Sequence, residues 1–284
     1  MKFKNINYGD GVELRGYLFE ESAELDEKWK KRPTVVVCPG GGYWICSYRE
    51  ADIVATQFLS RGFNAFVFTY SLGEKAVFPR PLVELSVAMK DIRENASEWM
   101  IDPDKIAVCG FSAGGHLCAS LGTLWNDAEI IEKSGCKIGE NKPNALILGY
   151  PVISTSWIEK DNSLQRLIGD SDFELTKKKL NMQNNVGKQT PPSFIFHTYN
   201  DGCVPVEDSL VFAAALAEND IPFDLHIFTN GGHGMSVGND TVGCNEPEYG
   251  KWVGMAGDWL WRTFGGREDI KKTDLFDNRM HYIK

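Results

Sequence analysis

The sequence predicts an α/β fold: a mostly parallel central sheet with helices on both faces and a small cap insertion. Three observations carry that prediction. Short apolar runs alternate with longer segments of helical periodicity along most of the chain. Several runs are apolar on both faces, as parallel strands covered from both sides must be. Glycine is in mild excess, 28 of 284 residues, and ten of the 28 fall in four short segments that each follow such a run. Backbone has to bend sharply, or come close to a ligand, where glycines gather at strand ends.

The elements follow in order. Residues 2–8 and 12–19 alternate in polarity and are expected as an antiparallel edge pair. Residues 34–38, rich in valine, make the first buried parallel strand, and 50–60 a helix stopped by Gly62. A strand at 64–70 leads to a long helix at 81–100, where Leu82, Leu85, Met89, Ile92, Ala96 and Trp99 recur at three- and four-residue spacing. A strand at 106–110, a helix at Ala113–Leu124 and a strand at 145–150 come next. The last elements are a strand at 193–199, a helix at 205–219, a strand at 223–229 and a helix near 249–263. Residues 153–188 are polar and weakly periodic between two core strands, and are expected as the cap. Residues 265–284 form a polar tail, and 1–284 is read as one domain.

Composition narrows the function. At 43% hydrophobic and 24% charged the chain can bury a real core, which excludes disorder. With 30 basic against 39 acidic residues the net charge is −9, which argues against nucleic acid and against an anionic membrane as partners. No apolar stretch in the first 20 residues is long enough for a signal peptide, and no run suits a membrane span. The seven cysteines are odd in number and form no CxxC pair, so neither zinc nor a redox dithiol is signalled. A reducing cytoplasm is the expected location. Self-association is left open.

Ligands in open α/β sheets bind beyond the carboxyl ends of strands, so the loops after Cys38, Gly110, Tyr199 and Thr229 are where chemistry is expected. The second reads Gly110-Phe111-Ser112-Ala113-Gly114-Gly115-His116. This G-x-S-x-G at a strand-to-helix junction lifts a serine hydroxyl above the sheet, and the Ala113 N–H at the helix start can stabilise an oxyanion. A serine needs a base. His116 lies behind Ser112 in the helix, His197 and His226 lie in apolar strands, and His281 is in the tail. His233, in the glycine loop 230–235 after a strand, is the candidate base. Asp201, at a strand end in Asn200-Asp201-Gly202, is the candidate acid that orients it. Asp224 is its rival, but about five strand steps place it ~17 Å from the end leading to His233. The order Ser112, Asp201, His233 is that of α/β-hydrolases. After the first parallel strand, Pro39-Gly40-Gly41-Gly42-Tyr43 frees backbone N–H groups to turn towards a reacting carbonyl.

On these residues the chain resembles an α/β-hydrolase of the esterase/lipase group with an HGGG-type oxyanion loop, most like the acetyl esterase and acetylxylan esterase relatives, whose loop reads PGGGY. The matching stretches are Pro39–Tyr43, Ser47-Tyr48-Arg49-Glu50, residues 110–117, Pro191-Pro192, Asp201 with Val204-Pro205, and Gly232-His233-Gly234, spanning 33–261. The resemblance implies Ser112 as nucleophile, His233 as base, Asp201 as orienter, and Gly41, Gly42 and Ala113 as oxyanion donors. One departure stands out: the hormone-sensitive-lipase branch has histidine where this chain has Pro39. Glu50 is a candidate to support the loop instead, although the start of a surface helix explains it as well. Tyr43, Trp44 and Trp157 are candidates to contact an acyl group or a sugar face.

The expected activity is hydrolysis of short-chain acyl esters by a serine nucleophile, with acetylated sugars or xylo-oligosaccharides as a substrate class suggested by the resemblance. No metal or organic cofactor is required. An amidase, formamidase or peptidase would use the same residues. A non-catalytic binding protein on a hydrolase scaffold would be expected to have lost one of them.

Overall fold

The structure, a computed structural model, describes residues 1–24, 30–155, 163–169 and 173–265. Its sheet has eight strands: β1 (Lys2–Gly9), β2 (Val12–Leu18), β3 (Arg32–Cys38), β4 (Asn64–Thr69), β5 (Ile101–Phe111), β6 (Ala145–Gly149), β7 (Ser193–Thr198) and β8 (Phe223–Phe228). Their spatial order is β1-β2-β4-β3-β5-β6-β7-β8. β1 and β2 form the antiparallel edge expected from alternation, β2 joins β4 antiparallel, and every later pairing is parallel.

The two-residue period of a strand sorts the apolar runs into two layers. Val36, Cys38 and Val108 point to one face. There they meet Leu85 and Met89 of the helix Arg80–Glu94, Leu117 of Ala113–Leu124 and Phe212 of Glu207–Glu218. Val35, Val37 and Cys109 point to the other, against Phe58 of the helix Asp52–Leu59 and Trp252 of Trp252–Phe264. A one-residue slip of β3 would exchange the layers, so burial on both faces pins its register. Because β3 to β8 run parallel, their carboxyl ends open onto one edge. Cys38, Phe111, Thr198 and Phe228 therefore deliver their loops to the same side.

Several boundaries differ from expectation for local reasons. The helix expected to reach residue 100 ends at Glu94. The Asn95 side chain donates back to the Asp91 carbonyl at 2.8 Å, and Met100 adopts φ 55°. Ala96 and Trp99 stay buried beyond that end, which is why the apolar spacing ran on. β5 starts earlier than expected because Ile101 pairs with Arg32 across a register shift. An unanticipated helix, Ala128–Ser134, is capped by the Asp127 carboxylate, which accepts from the Glu129 and Ile130 N–H groups, and is closed by Gly135 at φ 64°. Within the expected cap, the described residues form the short helices Ser163–Ile168 and Phe173–Lys179 and the turn Met182–Asn185. Leu164, Leu167 and Met182 anchor it in the core despite its polar composition. The tail lies outside the described residues from 266 onwards.

Candidate active site

Ser112 sits between β5 and the helix Ala113–Leu124 at φ 51°, ψ −118°. A non-glycine residue there costs on the order of 1–3 kcal/mol, so its surroundings must hold it. They do so through both sides of its peptide. Its N–H donates to the Gly149 carbonyl at 3.0 Å, and its carbonyl accepts from the His116 and Val152 N–H groups at 3.0 and 3.2 Å. The flanking glycines are a packing requirement. A methyl group on Gly110 would overlap the Gly114 carbonyl, and one on Gly114 would overlap the carbonyls of Cys38 and Pro39.

The loop after β8 brings His233 over this turn. Its Nε2 lies 2.9 Å from Ser112 Oγ and its Nδ1 lies 2.8 Å from Asp201 Oδ2. A carboxylate only accepts, so Nδ1 carries the proton and Nε2 is left to accept from the serine hydroxyl. The Asp201 side chain is fully inaccessible to solvent. Its Oδ1 accepts the N–H groups of Cys203 and Val204 at 2.8 and 3.0 Å. Burial alone would push this carboxyl up. Hydrogen bonds from His197 and His233, the charge of His233 and the Val204 amide outweigh it and hold Asp201 well below the usual carboxylate range. The rival Asp224 is near the start of β8, paired in register with Phe194, and its Oδ2 is 3.5 Å from Arg262 Nη2.

The glycine loop after β3 has its polar groups almost fully assigned. The Pro39 carbonyl accepts from Tyr70 OH at 2.6 Å. The Gly40 carbonyl accepts from Ser47 N–H, and the Gly41 carbonyl from the N–H groups of Trp44 and Ile45. The Gly42 carbonyl accepts from Arg166 Nη1 at 2.8 Å. Gly40 N–H donates to Glu50 Oε2 at 2.8 Å. Among the described residues, the N–H groups of Gly41 and Gly42 have no protein acceptor, and both line the cleft beside Ser112. Gly41 at φ 127° and Gly42 at φ 61° need the conformational freedom that glycine has.

Glu50 therefore does what the missing loop histidine suggested, and the surface-helix explanation fails: the residue is 3% exposed. Its second oxygen, Oε1, accepts from Tyr150 OH at 2.6 Å. Tyr150 OH in turn accepts from Ser236 N–H at 3.2 Å, and its ring meets His233 edge-on with centroids 5.0 Å apart. Burial pushes the Glu50 carboxyl up. The Tyr150 and Gly40 hydrogen bonds and the charges of His233 and Arg49 offset this only in part. Tyr150 was not singled out from sequence. It carries no motif, and the loop that follows it was not among those where chemistry was expected.

The other described histidines each have contacts of their own. His116 Nε2 donates to the Leu180 carbonyl at 3.1 Å, and its Nδ1 faces Tyr43 OH at 3.1 Å. His197 spans Ser209 Oγ and the Val204 carbonyl at 2.8 and 3.0 Å, with its Nε2 also 3.4 Å from Asp201 Oδ2. His226 packs on Phe194. His281 lies outside the described residues.

The cleft has a volume of about 460 Å³ and is lined by the glycine loop, Ile45, Ser47, Arg49, Glu50, Ser112 and the Asp201 and His233 loops. Two residues expected to contact substrate lie outside this cleft's lining. Tyr43 is 1% exposed, packed against Tyr70 and His116, so its side chain supports the loop from beneath and does not reach the cleft. Trp44 is exposed but faces a neighbouring depression, with the Arg166 guanidinium 5.3 Å over its ring. Trp157 lies outside the described residues. Among the described residues no group of three His, Cys, Asp or Glu side chains is placed to hold a metal ion, and no helix is long and apolar enough to cross a membrane.

Comparison with known proteins gives this frame its relatives. The BD-FAE family model matches residues 24–216. An endo-1,4-beta-xylanase B of Butyrivibrio fibrisolvens is 41% identical over 82% of this chain and 36% of its own length. An acetylxylan esterase of Xylanibacter ruminicola is 29% identical over 72% of this chain and 41% of its own. This chain thus spans well under half the length of either relative. Among solved structures, an acetyl ester-xyloside bifunctional hydrolase of Caldicellulosiruptor lactoaceticus superposes with a TM-score of 0.76 at 33% identity, covering 89% of this chain and 88% of the other. With the family match extending over more than half of its residues, this chain belongs to the BD-FAE family, within the α/β-hydrolase esterase/lipase superfamily and related to acetylxylan esterases.

Proposed function

We propose that the chain is a serine-dependent carboxylic ester hydrolase for short acyl esters. The observation that carries the reading is the unbroken line from Ser112 Oγ through His233 to a buried Asp201, facing two glycine N–H groups that have no protein acceptor among the described residues. Ser112 Oγ attacks the ester carbonyl carbon while His233 Nε2 takes its proton. The carbonyl oxygen becomes an oxyanion beside the N–H groups of Gly41, Gly42 and Ala113, which are fixed before the reaction and need no reorganisation. Asp201, kept ionised, stabilises the imidazolium. His233 then gives the proton to the departing alkoxide. In the second half, water attacks the acyl-serine, loses its proton to His233, and Ser112 leaves with that proton as the free acid departs.

The substrate class is drawn from the relatives, whose names point to xylan and to acetyl esters. Acetylated xylo-oligosaccharides are accordingly the first substrates to try. Purified protein should release nitrophenol from nitrophenyl acetate, and Ser112→Ala should lower kcat by at least about 10⁴-fold. Equal rates in the variant would end the reading. A panel of acetylated xylo-oligosaccharides, longer acyl esters and formanilide tests the substrate class, and a preference for formanilide would move the enzyme to amides.

A further inference from the structure

Arg49 is a cleft residue for which the mechanism has no use. It lies in the turn Tyr48–Glu50, and its backbone carbonyl accepts from Ser236 Oγ, so its Cα is tied to the loop that carries His233. Its guanidinium reaches the cleft beside that loop: a Cβ on Gly234 would stand 3.5 Å from Arg49 Nη2. No carboxylate among the described residues makes an ion pair with it. The two nearby candidates are committed elsewhere, Glu50 to Gly40 N–H and Tyr150 OH, and Asp201 to His233 and two amides. Among the described residues the cleft lining has no other arginine or lysine. A chain of net charge −9 thus places in its cleft an always-charged group that makes no ion pair among the described residues.

The position indicates which half of the substrate it meets. His233 must protonate the leaving alkoxide, so the alcohol half lies on the His233 side, and Arg49 sits against the residue that follows His233. A guanidinium offers a fork of donors matched to a carboxylate. We propose that Arg49 is a carboxylate-binding subsite for the alcohol half, making acyl esters of hydroxy acids, such as acylated sugars that carry a carboxylate, the preferred substrates. This rests on the ester-hydrolase reading.

The test compares para-acetoxybenzoate with its neutral counterpart para-acetoxybenzamide on the wild type, Arg49→Gln and Arg49→Lys. The ratio of the two kcat/KM values within each protein cancels both active fraction and intrinsic leaving-group reactivity between variants. The ratio should fall at least about fivefold in Arg49→Gln, through KM, and recover in part in Arg49→Lys, as removal of a charge-assisted hydrogen bond would require. The wild-type ratio should also fall with added salt. An unchanged ratio in all three proteins overturns the proposal. So does a shift confined to an ester with its carboxylate on the acyl half, such as nitrophenyl hemisuccinate, or a change only in the pH profile, which would make Arg49 a counter-charge for Glu50. If the wild type hydrolyses none of these esters, it is the esterase reading that fails, whatever Arg49 does.

Discussion

Behind the cleft stand two carboxylates, Asp201 on the His233 side and Glu50 on the glycine-loop side. Both are buried, and both accept backbone N–H groups. Burial raises both, yet Asp201 ends well below the ordinary carboxylate range and Glu50 ends above it. The neighbours account for the difference. Asp201 has two amides and two imidazoles around it, one of them His233, which becomes cationic in the proposed reaction. Glu50 has one amide and a neutral phenol. A carboxylate that must answer a transient positive charge is surrounded by groups that favour its ionised form. A carboxylate that only ties loops together needs acceptor atoms in the right places, and its surroundings leave burial dominant.

The largest expected effect breaks the first of these. Asp201→Asn should lower kcat by about 10³–10⁴-fold, because an amide can present a donor to Nδ1 and lets the wrong tautomer form. Asp224→Asn, which disturbs the contact with Arg262 and the charge beside His226, should stay within about twofold of wild type. Nitrophenyl acetate turnover at saturating substrate measures both, and a reversed order would make Asp224 the acid.

The second carboxylate should be less sensitive. Glu50→Ala leaves Gly40 N–H and Tyr150 OH without their acceptor and frees the loop that carries the Gly41 and Gly42 donors. Up to about 10²-fold in kcat is expected, below the full loss of an oxyanion donor, with KM changed much less. Glu50→Gln keeps an oxygen for Gly40 N–H and should recover most of the loss. A fall in KM-limited rates alone, with kcat intact, would deny Glu50 its positioning role.

The two carboxylates should also have opposite signs in stability. Asp201 is depressed on folding, so its contribution is present above its unfolded value near 3.8 and is lost as pH falls through the folded one. The stability gap between wild type and Asp201→Asn should therefore narrow as pH drops below that value. Glu50 is raised, so the protein is favoured below its unfolded value near 4.5 and loses that contribution as pH rises through the folded one. Glu50→Gln should accordingly gain on wild type as pH increases. Urea melts across pH read both trends, and parallel slopes would contradict the comparison.

How much of this was legible beforehand depended on whether the information was local. The Ser112 turn, the His233 loop and the Asp201 turn each carry their own glycines and strand ends, so short stretches of sequence announce them. The face of the helix Arg80–Glu94 was readable from spacing, whereas its end was not, because the Asn95 side chain takes the Asp91 carbonyl there. Glu50 could be named only as a candidate, since its two partners are ten and a hundred residues away. Tyr150 was invisible for the same reason. Its hydroxyl matters through Glu50 and Ser236, and no local pattern records a contact of that kind.

Tyr43 supplies the smallest test and the cleanest one of the same distinction. Its place next to the glycine triplet suggested a substrate contact, but the ring faces inward, on Tyr70 and His116. Tyr43→Phe keeps that packing and removes only the hydroxyl facing His116 Nδ1, in a site where water does not reach. The expected cost is about 0.5–1.5 kcal/mol of stability, the ordinary net loss of one hydrogen bond, with Ser120 Oγ still 3.5 Å from the same nitrogen. KM for nitrophenyl acetate should move less than about twofold, as for a change that removes no substrate contact. A large rise in KM with unchanged stability would return Tyr43 to the substrate and require the loop to open in solution. The proposed outcome places the hydroxyl on the supporting side of the loop, where Glu50 and Tyr70 also act.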